Sequence, residues 1–263
     1  MRRARALTLS LTIGLVVGCG RPVPEDDPPP IYDWDRSPSA LVVGFGEGPG
    51  MCDQGVMFMT RFYGSSFVRL MGDGTLYTGD PVHVQRRQLD EEQMQGLLAA
   101  IRPDRLGDAF GEDFSACHDV YDAGTDWLEV HVAGSSGRAS IYGRHLASDF
   151  CESDAIPAAL HRAFDAVAAQ RAVSGEPFAP DALYIGASEI GAADPQDTPW
   201  PLPEVDLAQA PISYGGEAAT VDDPQQVAQL VEVLARDNIW SLPLPRFAQA
   251  GKAYDVVYAA RLP

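Results

Sequence analysis

The sequence predicts an α+β fold, a mostly antiparallel sheet with helices packed on one face, in two lobes. Short apolar runs separated by glycine-rich turns are typical of antiparallel strands. Two longer segments, residues 89–101 and 155–170, repeat apolar residues with the spacing of an amphipathic helix. A stretch rich in proline, glycine and aspartate, residues 174–203, precedes a further helix and strand. We therefore place the boundary between the two lobes where this stretch begins, at residue 174.

The clearest predicted strands form a hairpin, residues 67–71 and 75–78. Asp73 and Gly74 join them, because an Asp-Gly pair supplies the positive φ angles of a tight hairpin turn. The turn explains why an aspartate stands at position 73, so Asp73 need not be a metal ligand. The other predicted strands are short apolar runs bounded by turn residues: 41–45, 56–62, 127–132, 138–142, 183–186 and 254–260.

Three helices are predicted from their caps and apolar stripes. In the first, Asp90 stands at the N-cap and Gln93 at the matching capping-box position. The second has Pro157 in its first turn, and the third begins at Asp223, followed by a proline. The first and third helices match from the cap through the apolar positions, which fits either a degenerate duplication of a helix and strand unit or the common pattern of any capped amphipathic helix.

The amino terminus has the features of an export signal. Three arginines within the first five residues precede an apolar run of about 12 residues, which is too short for the roughly 20 residues of a membrane-spanning helix. The Leu-Val-Val-Gly sequence before Cys19 resembles a lipobox, the motif in which the cysteine is lipidated. We therefore predict a signal peptide over residues 1–18 and a fatty-acyl anchor such as palmitate on Cys19. Ordinary secretion and a twin-arginine export signal are the alternatives.

The segment after this cysteine predicts a spacer. Residues 20–39 contain six prolines together with Glu25, Asp26 and Asp27, a composition that favours an extended, solvated chain. The predicted organisation is a signal peptide (1–18), a lipidated cysteine and proline-rich tether (19–39), an N-terminal α+β lobe (40–173) and a C-terminal α+β lobe (174–263).

The charge of the chain disfavours nucleic acid as a partner. The formal net charge is −18, and removal of the three signal arginines makes it about −21. A nucleic-acid interface needs a basic face for its phosphate contacts, and the sequence shows no such face.

Three cysteines remain beyond Cys19 in what we expect to be an oxidising compartment. Cys117 precedes the predicted hairpin 127–142 and Cys151 follows it, so the two approach at the same edge. We predict a disulfide between them, with Cys52 free. Such a bridge closes a loop of about 35 residues and stabilises the fold by about 3–4 kcal/mol in the chain-entropy model.

Several segments together resemble a family of uncharacterised bacterial lipoproteins. They are the lipobox, the Gly72–Gly74 hairpin turn, the helix start 89–92, the strand entry 122–130, the Trp-Pro-Leu-Pro segment 200–203 and the final strand 254–263. The resemblance covers most of residues 41–263, and it rests on turns and caps. It implies an envelope location and carries no activity or site residue over to this chain.

A search for chemistry finds only weak candidates. Asp119, Asp122 and Asp126 gather carboxylates before a strand and are candidate calcium ligands, but solvated turn aspartates account for them as well. Ser188 lies in a segment one residue too long for the G-x-S-x-G elbow of serine hydrolases. The sequence therefore predicts no catalytic residue, no firm metal site and no cofactor.

These observations favour a non-enzymatic protein of the cell envelope, anchored on the extracytoplasmic face of a membrane. It would bind an envelope protein or a small ligand through its sheet or loops. The alternative is an envelope hydrolase that uses carboxylates which the sequence does not single out.

Overall fold

Two sheets organise the part of the chain that the structure, a computed structural model, describes: residues 28–146, 155–212, 218–237 and 239–263. The larger sheet contains β1 (Leu41–Glu47), β2 (Ser66–Met71), β3 (Thr75–Gly79), β4 (Val84–Gln88), β5 (Asp113–Ser115), β6 (Thr125–Val132), β7 (Ser135–Tyr142) and β8 (Glu176–Pro177). The smaller sheet contains β9 (Ala182–Ala192), β10 (Thr198–Pro199), β11 (Ala219–Val221), β12 (Arg246–Gln249) and β13 (Lys252–Arg261).

The helices in these ranges are α1 (Gln54–Thr60), α2 (Glu91–Ile101), α3 (Ala158–Ala168) and α4 (Pro224–Val233). Short 3₁₀ helices lie at Pro103–Arg105, Gly107–Ala109, Ala169–Ala172 and Leu207–Gln209.

Both sheets are mostly antiparallel. The strand order is β5-β7-β6-β1-β2-β3-β4-β8 in the larger sheet and β10-β12-β13-β9-β11 in the smaller one. Only the pairs β5 with β7 and β10 with β12 are parallel among the described strands. This arrangement confirms the predicted α+β class, including both predicted hairpins, β2 with β3 and β6 with β7.

Helices α2 and α3 cover one face of the larger sheet. Phe45, Leu98 and Phe164 are fully buried, and the aromatic rings of Phe45 and Phe164 meet edge to face at 5.9 Å. Asp90 accepts a hydrogen bond from the backbone N–H of Gln93, and the Gln93 side chain accepts one from the backbone N–H of Asp90. The predicted capping box of α2 is therefore confirmed. Pro157, predicted in the first turn of the second helix, lies instead at the N-cap of α3.

The prediction of a strand at residues 56–62 is wrong, because residues 56–60 belong to helix α1. The Asp53 side chain accepts a hydrogen bond from the backbone N–H of Gly55 and caps the helix. A short apolar run fits either a helix or a strand, and here packing against the smaller sheet selects the helix. Phe58 lies on β9 at Gly186, where a Cβ atom would approach its ring to 2.7 Å. Helix α1, which comes from the first half of the chain, thus packs on the smaller sheet.

The tether is shorter than predicted, because its end belongs to the folded core. Tyr32 and Trp34 are each only 5 % exposed and join the core under α2. The backbone N–H of Tyr32 donates to the side-chain oxygen of Gln95, and the Trp34 indole N–H donates to the carbonyl of Gly72. The prediction of a solvated spacer through residue 39 is therefore wrong from Tyr32 onward, since the burial of two aromatic rings offsets the cost of ordering this segment.

The chain passes from the larger to the smaller sheet close to the predicted boundary at residue 174. Strand β8 still pairs with β4, and after four intervening residues β9 begins the smaller sheet at Ala182. The sheets also share a core, in which the backbone N–H of Leu262 donates to the Tyr63 hydroxyl at 2.9 Å. Among the described residues, no helix has both the length and the apolar character to span a bilayer.

Candidate functional site

The cysteines and the calcium candidates are the residues that the sequence singled out. Cys19 and Cys151 lie outside the described residues. Cys52 is a free thiol, as predicted, and burial raises its pKa. Cys117 is fully buried and is not a free thiol, but its pairing with Cys151 stays a prediction.

The three aspartates of the calcium hypothesis do not come together as one ligand set. Asp119 and Asp122 are exposed in the loop before β6, whereas Asp126 lies inside β6 and is buried. Within the described residues, one group of potential ligand atoms lies within 4.8 Å of one another, and it consists of Glu47, Asp126 and His145. The hypothesis is therefore corrected: only Asp126 belongs to a cluster, and its neighbours come from elsewhere in the chain.

The register of the larger sheet creates this charged cluster. Glu47 ends β1 and pairs directly with Asp126 near the start of β6. Cross-strand neighbours carry their side chains on the same face, so two carboxylates are brought side by side. The backbone N–H of Gly48 extends the pairing by donating to the carbonyl of Thr125 at 2.9 Å.

His145 completes the cluster from the segment after β7. Its Nε2 atom lies 3.0 Å from Asp126 Oδ2 and 3.4 Å from Glu47 Oε1. The imidazole is 62 % exposed, whereas the side chain of Asp126 is 3 % exposed and that of Glu47 is 18 % exposed. The cluster therefore has two sheltered carboxylates with a solvent-accessible imidazole above them.

Two arginines also bind these carboxylates, and Arg144 contacts the same Asp126 oxygen, Oδ2, that lies near His145. Arg144 donates to Asp126 at 3.1 Å and to Asp165 of α3 at 2.6 Å. Arg171 donates to Glu47 Oε2 at 2.6 Å and to the Ser66 hydroxyl.

These arginine contacts leave one oxygen of the pair unsatisfied. Glu47 Oε1 is a buried atom without a hydrogen-bond partner in the described part of the chain. A buried acceptor without a donor is costly, and such groups are uncommon in folded proteins.

The pKa of Asp126 is raised, and burial is the main cause. His145 and Arg144 favour the charged carboxylate and oppose this shift, while the charge of Glu47 adds to it. Two carboxylates this close favour a neighbouring positive charge, which His145 and Arg144 supply to Asp126.

A second candidate site is an apolar cleft between the two sheets. It has a volume of about 580 Å³ and is formed by the start of β4, the segment after β8, α4 and β13. Its walls are mostly apolar side chains: Val82, Val84, Pro177, Phe178, Ala179, Pro180, Pro224, Val227, Ala228, Val231 and Ala260.

Two polar side chains reach this cleft, Asp181 and Tyr258. Burial raises the pKa of Tyr258, so its hydroxyl is neutral at physiological pH. One wall is fixed by Phe178, whose ring contacts Tyr77 edge to face at 5.0 Å and whose backbone N–H donates to the carbonyl of Val84. The cleft thus combines apolar walls with few polar groups, which is the usual character of a small-ligand site.

Sequence reasoning missed both Glu47 and His145. Neither residue stands at a recognisable ligand spacing, and their proximity depends on the pairing of β1 with β6 and on the turn after β7. The available signal was a carboxylate at the end of one predicted strand and another before a second strand, but their pairing could not be read from the chain.

Comparisons with family models, with curated proteins and with solved structures found no match for this chain.

Proposed function

We propose that this chain is an exported lipoprotein, anchored on the extracytoplasmic face of a membrane through Cys19, that binds a small apolar ligand. The cleft between the two sheets carries this proposal. Its volume of about 580 Å³ lies in the range of small-molecule sites, and nearly all of its walls are apolar. The signal-like amino terminus and the lipobox support the anchor.

The ligand we propose is predominantly apolar, with one group that forms hydrogen bonds. Transfer of apolar surface from water into the cleft provides the driving force. Asp181 and Tyr258 offer the cleft a carboxylate acceptor and a neutral hydroxyl, either of which can bind a polar group on the ligand. The anchor would keep this binding site close to the bilayer, where apolar ligands concentrate.

The alternative class, a hydrolase with paired acids, has less support. The one close carboxylate pair in the described metal-ligand group, Glu47 with Asp126, does not line the apolar cleft. Arg144 and Arg171 already bind these carboxylates, which favours a fixed charged cluster over a general acid and base facing a substrate.

Photolabelling tests the ligand site on the full chain. A photoreactive alkyl diazirine should label peptides that contain residues 177–181 and 224–231, identified by peptide mapping. Ala228→Phe places a ring in the cleft from an exposed position on α4, and we expect it to reduce this labelling at least about tenfold.

The matched control is Gln229→Phe, an exposed position of the same helix that does not line the cleft. Labelling in this variant should equal that of the unmodified chain. Equal labelling in both variants, or labelling spread evenly over the surface, would refute the cleft as the ligand site.

A second experiment tests the anchor. Cys19→Ala should move the protein from the membrane fraction to the soluble fraction, since each acyl CH₂ contributes about 0.8 kcal/mol of membrane binding. Cys52→Ala is the control and should stay with the membrane. Intact mass spectrometry that found an unmodified Cys19 would contradict the anchor.

A further inference from the structure

We propose that Glu47, Asp126 and His145 form a zinc site. The three residues supply one imidazole nitrogen and two carboxylate oxygens, and these potential ligand atoms all lie within 4.8 Å of one another. Histidine nitrogen together with carboxylate oxygen is a recognised ligand set for Zn²⁺.

The separations fit a metal centre. At metal–ligand distances of about 2.0–2.2 Å, the ligands of a tetrahedral ion are about 3.3–3.6 Å apart. His145 Nε2 lies 3.4 Å from Glu47 Oε1 and 3.0 Å from Asp126 Oδ2. Asp126 Oδ2 also accepts a hydrogen bond from Arg144 at 3.1 Å, so an ion among the three atoms would share this oxygen with the guanidinium.

An independent observation is the unsatisfied oxygen of Glu47. Its Oε1 atom is buried, has no hydrogen-bond partner in the described chain, and is the oxygen that faces His145. A cation bound there supplies the interaction that this buried acceptor lacks.

The surroundings hold the proposed ligands in place. Arg171 binds Oε2 of Glu47 and leaves Oε1 directed at the cluster, while Arg144 donates to Oδ2 of Asp126, the proposed ligand oxygen itself. Below them, the guanidinium of Arg144 lies 5.2 Å from the ring centroid of Phe164, and that of Arg171 lies 5.4 Å from the ring centroid of Phe45. Such outer contacts orient metal ligands.

The arginines also set the strength of the site. Their two positive charges offset those of the two carboxylates, so we expect weaker zinc binding than at the same three ligands without guanidinium neighbours. Calcium fits poorly, because it takes six to eight oxygen ligands, whereas this site supplies two carboxylates and a nitrogen. A zinc ion here would retain at least one position for water.

Isothermal titration of the full, metal-free chain with Zn²⁺ tests the proposal. We expect one zinc ion per chain at this site, and no heat from Ca²⁺ there. His145→Ala removes an exposed ligand without opening the core, and we expect at least about tenfold weaker zinc binding.

His131→Ala is the matched control. His131 is also exposed and lies 2.7 Å from a carboxylate oxygen of Glu129, but it belongs to no group of three potential ligands among the described residues. Its replacement should leave zinc binding unchanged. Equal binding in the His145→Ala variant, or no binding to the unmodified chain at about 1 mM zinc, would overturn the proposal.

Glu47→Gln provides a second test that preserves side-chain volume. The variant should stay folded by circular dichroism and lose zinc binding, and a Co²⁺-loaded chain should lose the visible absorption of a four-coordinate centre. A folded Glu47→Gln variant that retains both the heat and the absorption would refute the site.

Discussion

The charged cluster around Glu47 and the apolar cleft around Val227 are two candidate sites whose residues are brought together in different ways. The cluster lies on the larger sheet, and its charged groups meet because adjacent strands place them together. The cleft lies between the sheets, and its walls come from elements of both. The comparison shows that the cluster depends on strand register, whereas the cleft depends on how the two sheets pack.

The two sites also differ in what a substitution does to stability. In the cluster, every buried charge has an opposite charge as its neighbour. Removal of one partner leaves the other charge buried and unpaired, which is strongly destabilising. In the cleft, the walls are mostly apolar, so truncation removes contacts without leaving a buried charge.

The largest expected effect is at the cluster. Arg144→Ala leaves Asp126, which is 3 % exposed, without its guanidinium partner. We expect the free energy of unfolding to fall by about 3 kcal/mol, the lower end for breaking a buried ion pair, because His145 still neighbours Asp126. Chemical denaturation measures this change. Arg162→Ala, an exposed position on α3, should change stability by less than about 0.5 kcal/mol. Equal effects of both variants would show that the cluster is solvated.

A smaller effect is expected in the cleft. Val227→Ala removes two carbon groups from a side chain that is 4 % exposed, at about 0.8 kcal/mol each. We expect a loss of about 2 kcal/mol by denaturation, because the lost transfer free energy and the cost of a small cavity add at this buried position. Gln229→Ala on the same helix should be neutral. A neutral Val227→Ala variant would show that this side chain is solvated and contributes nothing to the wall of the cleft.

The helix that forms one wall of the cleft provides a third comparison. Asp223 accepts hydrogen bonds from the backbone N–H groups of Gln225 and Gln226, both at 3.0 Å. Asp223→Ala should cost about 1 kcal/mol of stability, the usual value of an N-cap, and should weaken cleft labelling. Asp222→Ala changes the neighbouring exposed carboxylate and should do neither. A neutral Asp223→Ala variant would show that packing alone holds α4.

The smallest effect concerns pH at the cleft. Burial raises the pKa of Tyr258 above its ordinary value of 10.0, with Asp80 adding to the shift and Arg236 opposing it. The raised value favours the neutral hydroxyl, so photolabelling of the cleft should not change between pH 7 and about 10. Ultraviolet titration of the tyrosines, compared with a Tyr258→Phe variant, checks this assignment. Loss of labelling with a midpoint near 10 would indicate an ordinary, solvated phenol.

Elements with strong local signals were predictable. The cap at Asp90, the capping-box residue Gln93 and the hairpin turn at Gly74 all lie where the sequence places them. The turn is nevertheless different from the one predicted, because only Gly74, and not Asp73, has a positive φ. Local chemistry fixes where a helix begins or a chain turns, but the exact turn geometry also depends on the strands it connects.

Elements with weak local signals were decided by their partners. The run after Asp53 became α1 because Gly186 leaves room for Phe58 on the smaller sheet. The segment at Tyr32 and Trp34 has the composition of a spacer but folds because α2 and the β2–β3 turn offer it a core and hydrogen-bond partners. Neither partner is near in sequence, so neither outcome can be read from the segment itself.

By itself, the sequence determined the α+β class, the capped helices, the two hairpins and the expectation of an exported, acidic chain. It did so because caps, turns and apolar periodicity act over a few residues. Only the tertiary structure decided that Glu47 and Asp126 share a neighbour in His145 and that a cleft opens between the sheets. Both features join residues far apart in the chain, and register and packing, which set those distances, are properties of the whole fold.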